Sequence, residues 1–351
     1  MKGSMTNFLK RAGDRNERLL LVLAGPLNPA LDPESGLVHD TYVVLAKELI
    51  SQGFCDKAVF VFNDPGPELN QGSFVITPEI SGCFFSSIIK DLPRYFFQAV
   101  FVRGNWQEHG QVFHKLEFGH SFFYAADNKF LPKHIRPKDL DVIFVDDDHQ
   151  KRQLETSHPE TKSLVFDKPV SEHLFYPGLA ERKIYDLCYV ANFRQWKNHN
   201  MLFKALRKLK QRSLNLNIAL VGLIRPDNRE LETMLFKYDV SAQVFERVDQ
   251  ECVARVLRQS KFSLQLGDLD ANPRSLTESL ATGTPVLVNQ DLEGGLHLIC
   301  DQTGASTSLE NLDQAMEKML LEYRNYRPYE YFYDHLRPER IVERCFSDHL
   351  N

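Results

Sequence analysis

The chain alternates short apolar runs with longer segments of helical period, and it does so twice. In the first half, RLLLVLAG from Arg18 reads as a buried strand. The segment from His39 to Gln52 then places Val43, Ala46, Leu49 and Ile50 on one helical face. Further strand-like runs end at Phe62 (KAVFVF), Gly104 (QAVFVRG), Ala126 (SFFYAA) and Val145 (DVIFV). Continuous β-branched and aromatic runs of this length fit central strands of a parallel sheet covered on both faces. From Phe166 to Arg182 both periods vanish, and Pro169, Pro177 and Gly178 mark a linker. The rhythm then restarts. Strands are predicted to end at Ala191 and Gly222, followed by AQVFE, FSLQL and PVLVN. Helices are predicted near 200–212, 229–237, 252–259 and 276–282, which implies a second doubly wound domain.

The predicted fold is therefore α/β, with two Rossmann-like parallel-sheet domains, residues 1–170 and 171–325. A C-terminal segment, 326–351, is expected to pack back on the first. Ligands of open parallel sheets bind beyond the carboxyl ends of the strands. Two such domains facing one another would share one cleft.

Composition narrows the function classes. With 351 residues, 43% hydrophobic and 25% charged, the chain has enough material for two cores. A net charge of -5 gives no basic field, and nucleic acid is not an expected partner. Six scattered cysteines form no C-x-x-C pair or zinc-spaced cluster, which fits a reduced cytoplasmic protein. No run approaches the ~20 apolar residues of a membrane span. Contact with the inner face of a membrane is expected to be peripheral at most.

The chemistry concentrates in Asp270 to Asn289, DANPRSLTESLATGTPVLVN. The loop Asp270 to Arg274 leads into a helix near Ser275 and Leu276. The first amides of that helix lack intrahelical partners and form a ready seat for a diphosphate. This stretch resembles the signature of retaining GT-B glycosyltransferases, the family called glycosyltransferase family 4. Pro273, Glu278, Gly283 and Pro285 stand at the family's proline, acid and turn positions, and Asp270 replaces the first acid of its E-x7-E pair. Ala271 and Asn272 depart from the usual glycine and aromatic. The resemblance implies that Glu278 holds ribose and Asp270 meets the donor sugar.

A second match, YVANFRQWKNHN, resembles the family's G-R-L-x-x-x-K-G turn. Lys197 falls on its lysine and Asn198 on its glycine. Asn192 stands where the arginine is usual, with Arg194 two residues on. The implied role is to neutralise the donor diphosphate as charge develops on the leaving group. VFERV resembles the element that holds the base, which puts Arg247 and Val248 under it. Leu298 stands in place of the family glutamate after the Gly294–Gly295 turn.

In the first half, Gly36 resembles the family's glycine loop, where a missing side chain lets backbone approach the diphosphate. Asp127 stands near the place of a family histidine that this chain lacks. Arg103 and Asn105 end a strand on the acceptor side. The run Asp146-Asp147-Asp148 matches a metal-binding D-x-D, but it opens a helix and reads better as its cap.

The function implied by the resemblance is transfer of a sugar, with retention, from a nucleotide diphosphate sugar. The acceptor would be a glycan, lipid or protein, and the setting glycan biosynthesis. Lys197, Asp270 and Asp127 are the candidate catalytic residues, and no metal or other cofactor is expected. Two other readings stay open: a non-catalytic nucleotide-sugar binder, and a sugar-nucleotide epimerase.

Overall fold

The computed structural model describes residues 5–27, 36–64, 73–124, 131–178, 182–222 and 229–349. The chain divides into two compact units, Met1–Pro169 with Pro338–Asn351, and Val170–Arg337.

The first unit opens with α1 (Met5–Asp14), β1 (Leu19–Pro26), α2 (Thr41–Ser51) and β2 (Lys57–Asn63). Next come β3 (Phe74–Thr77), β4 (Ile80–Phe84), the single turn α3 (Phe85–Ile88), β5 (Phe96–Arg103) and α4 (Gln107–Phe113). It continues through β6 (Glu117–Tyr124), β7 (Val142–Val145), α5 (Asp148–Ser157) and β8 (Lys162–Val165). Its sheet runs β3-β4-β2-β1-β5-β6-β7-β8, parallel except for the antiparallel β3–β4 pair. The unbroken apolar run of β1 serves both faces of this sheet. Leu20, Val22 and Ala24 enter one cluster while Leu19, Leu21 and Leu23 enter the other, because successive side chains of a strand point to opposite sides.

The second unit contains β9 (Tyr185–Val190), α6 (His199–Gln211), β10 (Ile218–Gly222), α7 (Arg229–Tyr238), β11 (Gln243–Glu246) and α8 (Gln250–Arg258). It goes on with β12 (Ser260–Gln265), α9 (Arg274–Ala281), β13 (Val286–Asn289), β14 (Gly304–Thr307), α10 (Leu312–Glu322) and α11 (Pro328–His335). The all-parallel sheet has the order β11-β10-β9-β12-β13-β14. That is the 3-2-1-4-5-6 order of a dinucleotide-binding sheet, whose switch point lies between its first and fourth strands. Here those strands are β9 and β12. Cores on the two faces draw on α8, α9 and α11 on one side and α6, α7 and α10 on the other.

After α11 the chain returns to the first unit as α12 (Pro338–Phe346). Ile341, Val342, Cys345 and Phe346 are buried there with Phe122 and Phe144. The Phe346 ring lies edge-on to Phe122, with centroids 4.9 Å apart. Burying one such side chain stabilises by about 1.5–3 kcal/mol, so this helix is an integral part of the first core.

In the first unit the acidic run is used locally. Asp147 caps α5, accepting from the Gln150 amide at 2.8 Å. Asp146 is buried and accepts from the Tyr124 hydroxyl at 2.5 Å.

Candidate functional site

The loops that follow β9 and β12 carry the polar residues singled out by sequence. After β9 the chain makes a short 3-10 turn, Gln195–Lys197, and passes through Asn198 at φ 53 before entering α6. The Tyr189 hydroxyl donates to the Lys197 carbonyl at 2.5 Å and holds this turn against its own strand. After β12, the loop at 266–273 returns across the same end of the sheet. Asn198 donates from Nδ2 to the Leu266 carbonyl at 2.9 Å and to Asp268 Oδ1 at 2.7 Å. Asn289, at the end of β13, donates to the same Oδ1 at 3.0 Å. The Asp268 amide donates to the Trp196 carbonyl at 3.1 Å. The two loops are thus pinned together at the switch point.

Lys197 and Asp270 meet there as an ion pair between Nζ and Oδ2, with side chains 14% and 22% exposed. An ion pair this sheltered still touches solvent, so an entering ligand can reach it. Gly294 donates its amide to the Asp270 carbonyl at 3.2 Å. A side chain at Gly294 would run into the backbone of Ala271. Glycine is required here because two backbones approach too closely for a Cβ.

Beyond the pair, Pro273 precedes α9 and offers its amides no side-chain cap. The Leu276 amide turns back to the Pro273 carbonyl at 2.9 Å. Two side-chain bonds fix the helix to β12: Gln265 Nε2 donates to Ser275 Oγ at 2.9 Å, and Ser263 Oγ to Ser279 Oγ at 2.8 Å. One turn in, Arg274 Nε lies 2.7 Å from Glu278 Oε1. Glu278 is buried, and burial raises its carboxyl above the ordinary value while Arg274 partly offsets the rise. It can serve as a rigid acceptor for hydroxyl groups, since its partner on the same helix holds its rotamer.

The remaining predicted residues fall elsewhere. Arg194 lies with its guanidinium 5.0 Å from the centre of the Trp196 ring and does not join the Lys197–Asp270 pair. Asn192 is exposed on the loop after β9. Arg247 follows β11 at φ 50, exposed, and Val248 packs half-buried against the core on the α8–α9 side. In the first unit, Gly36 begins a short 3-10 turn, Gly36–His39. Asp127 lies outside the described residues. Arg103 ends β5 over the Tyr42 ring at 4.5 Å, and Asn105 accepts from the Lys133 amide at 2.9 Å.

Sequence reasoning missed Asp268, which organises the two loops, and Trp196, which it did not single out. Trp196 is 38% exposed and lines a cavity of about 890 Å³ with Arg194, Asp268 and Glu230. Only two tryptophans occur in the chain, and the place of this one between Arg194 and Lys197 was the signal available.

Similarity to solved structures runs the length of the chain. A glycosyltransferase from Rickettsia africae ESF-5 superposes with a TM-score of 0.70 at 14% identity, over 95% of this chain and 98% of that one. Sucrose-phosphate synthase from Thermosynechococcus elongatus gives 0.67 at 14% identity, over 95% and 96%. HepE of Anabaena, solved with UDP and glucose, gives 0.65 at 10% identity, over 94% and 99%. The fold is accordingly of the GT-B type, two Rossmann-like α/β units, as the periodicity and the resemblance had led one to expect. No curated protein matches the chain. The family model described as glycosyl transferases group 1 matches residues 177–331, a stretch contained within the second unit that carries the switch-point pair.

Proposed function

We propose that this chain is a glycosyltransferase that takes its sugar from a nucleoside diphosphate donor bound by the second unit. The observation that carries the reading is the Lys197–Asp270 pair between the ends of β9 and β12, beside the uncapped start of α9 and within the stretch matched by the family model. Lys197 and the first amides of α9 would hold the diphosphate, the helix dipole adding to the attraction. Glu278 would accept from the ribose hydroxyls, and Asp270 from hydroxyls of the donor sugar. As the glycosidic bond breaks, negative charge grows on the leaving diphosphate. A fixed cation and oriented amides stabilise that charge more than they stabilise the ground state, which lowers the barrier.

Retention at the anomeric carbon and independence of metal belong to the same proposal. So does a glycan, lipid or protein acceptor. UDP accompanies the HepE structure of Anabaena, and uridine donors are the first to try here.

One observation favours a second reading, binding without turnover. Asp270 already neutralises Lys197, and Arg194 is directed to Trp196, so the site brings less positive charge to a diphosphate than an arginine–lysine pair would. One experiment separates the two. Thermal shift against a panel of nucleoside diphosphates and their sugars reports binding, because a ligand of the folded state raises stability by RT ln(1 + [L]/Kd). Release of the nucleoside diphosphate from the same sugars reports turnover. A protein stabilised by none of them refutes the donor site; stabilisation without release leaves only a binder. Product anomer analysis and activity in a chelator then test retention and metal independence.

A further inference from the structure

Beside the switch-point loop lies a cavity of about 890 Å³ that the donor scheme does not use. Trp196 contributes an exposed indole, Met234 and Leu269 add apolar wall, and Asp268 and Glu230 bring carboxylates. Arg194 sits on the indole at 5.0 Å. Asp268 is held by two amide donors, Asn198 and Asn289, on Oδ1, and its Oδ2 has no partner among the described residues. Glu230, exposed at the start of α7, likewise has none among them.

We infer that this cavity is a saccharide subsite of the second unit, taking a neutral, hydroxyl-rich sugar chain. The chemistry of the wall selects that class. The negative face of an indole attracts the polarised C–H groups of a pyranose ring, and the same contact buries its apolar patch. Two carboxylates with open acceptor positions accept hydrogen bonds from hydroxyl groups, and ion-assisted bonds of this kind are the strong ones. Against the single guanidinium of Arg194 they leave the described wall net negative, which disfavours an anionic ligand. A cavity of this volume falls in the range of built ligand sites and exceeds what a single hexose needs. The subsite abuts the proposed donor position through one strand of chain, since Trp196 and Asn198 line it and flank Lys197.

The test uses the indole itself. Trp106 and Trp196 are the two tryptophans, so Trp106→Phe leaves Trp196 as the sole reporter. Its emission is titrated with neutral oligosaccharides (maltose, cellobiose and chitin series) and, separately, with UDP. The inference expects a saturable change with at least one oligosaccharide. Glu230→Gln should weaken that binding at least threefold. Should Trp106→Phe fail to fold, the wild-type response must disappear in Trp196→Phe. No response to any oligosaccharide at tens of millimolar, or a response to UDP alone, overturns the subsite. Because donor release is assayed separately, loss of the sugar response with donor turnover intact overturns this inference and spares the transfer reading. A sugar response in a protein that binds no nucleotide supports the subsite and refutes the transfer.

Discussion

Asn198 and Asp268, seventy residues apart, are joined by a 2.7 Å hydrogen bond from Nδ2 to Oδ1. Asn198 adopts φ 53, a conformation that costs most side chains about 1–2 kcal/mol and asparagine less. The residue therefore does two jobs: it turns the chain into α6, and it ties the turn to the loop after β12. Lys197 and Asp270 flank this tie, so their meeting depends on it.

The two jobs separate by mutation. Asn198→Gly keeps the left-handed turn and removes the tie, losing two hydrogen bonds worth about 0.5–1.5 kcal/mol each. Asn198→Ala loses the tie and adds the strain. Melting temperature should fall for both and further for alanine, by several degrees in total. Donor affinity should fall equally in both. Alanine and glycine variants melting alike would show that the backbone conformation carries no strain.

Lys197→Ala removes the cation proposed to meet the diphosphate. Losing one charge-assisted hydrogen bond of roughly 2–4 kcal/mol should lower kcat/KM by about 30- to 1000-fold. The paired Asp270 is 22% exposed and regains water, so stability should change little. Steady-state kinetics and a melt on the same preparation check both halves; wild-type kinetics would remove Lys197 from the site.

Much of this architecture could be read in advance, and the misses have physical causes. The central strands announced themselves because β1, β2, β5 and β7 are buried on both faces and admit almost nothing polar. The helix α1 escaped, since Met5, Leu9 and Ala12, with Phe8 half-buried beside them, face the core amid lysine, arginine and aspartate. Strands β4 and β14, ISGCF and GAST, are too rich in small residues to show a strand signature. Gly82 in β4 is small because the Phe74 ring packs over it. Within the site, the spacing from Asp270 to Glu278 was legible as a local motif. The partnership of Lys197 with Asp270 was not, because it spans 73 positions and depends on strand order. Whether Arg194 reaches toward the diphosphate was left open by the sequence, and its contact with the Trp196 ring could not be read from spacing alone.

Glu278→Gln tests the ribose assignment and the cost of burying the charge together. The carboxyl is raised by burial, with Arg274 opposing. For a raised carboxyl, the folded state holds its proton more tightly than the unfolded state. The stability this contributes is complete below the ordinary value of 4.5 and is lost as pH rises through the folded value. At pH 7 the amide variant should therefore melt no lower than wild type, and the difference should shrink or invert on acidification toward 4.5. Donor KM should meanwhile rise about tenfold with kcat little changed, as expected when an acceptor to ribose weakens equally in ground and transition states. A large fall in kcat at constant KM would assign Glu278 to the reacting end of the donor instead.

His199 opens α6 directly after the site loop and is buried between the rings of Tyr189 and Phe193, each with its centroid 4.8 Å away. Burial, and secondarily the charge of Lys197, push its pKa down to about 4. In the first unit, burial alone does the same to His109 on α4. A depressed histidine is neutral in the fold and protonated in the unfolded chain. Its contribution is present above the ordinary value of 6.5 and drains away as pH falls through the interval to about 4, by up to roughly 3 kcal/mol per site. Acid should therefore weaken both units well above the range where carboxylates titrate. His199→Phe retains the aromatic packing and cannot take up a proton, so its melting temperature should fall less steeply than that of wild type between pH 6.5 and 4.5. His109→Phe should act in the same direction through the first unit, and because the two sites lie in separate units their effects should add. Melting curves at half-unit pH steps for wild type, both single variants and the double variant decide it. A His199→Phe curve parallel to wild type would mean that His199 is charged beside Lys197 in the folded protein, and that the site loop carries one more cation than its geometry indicates.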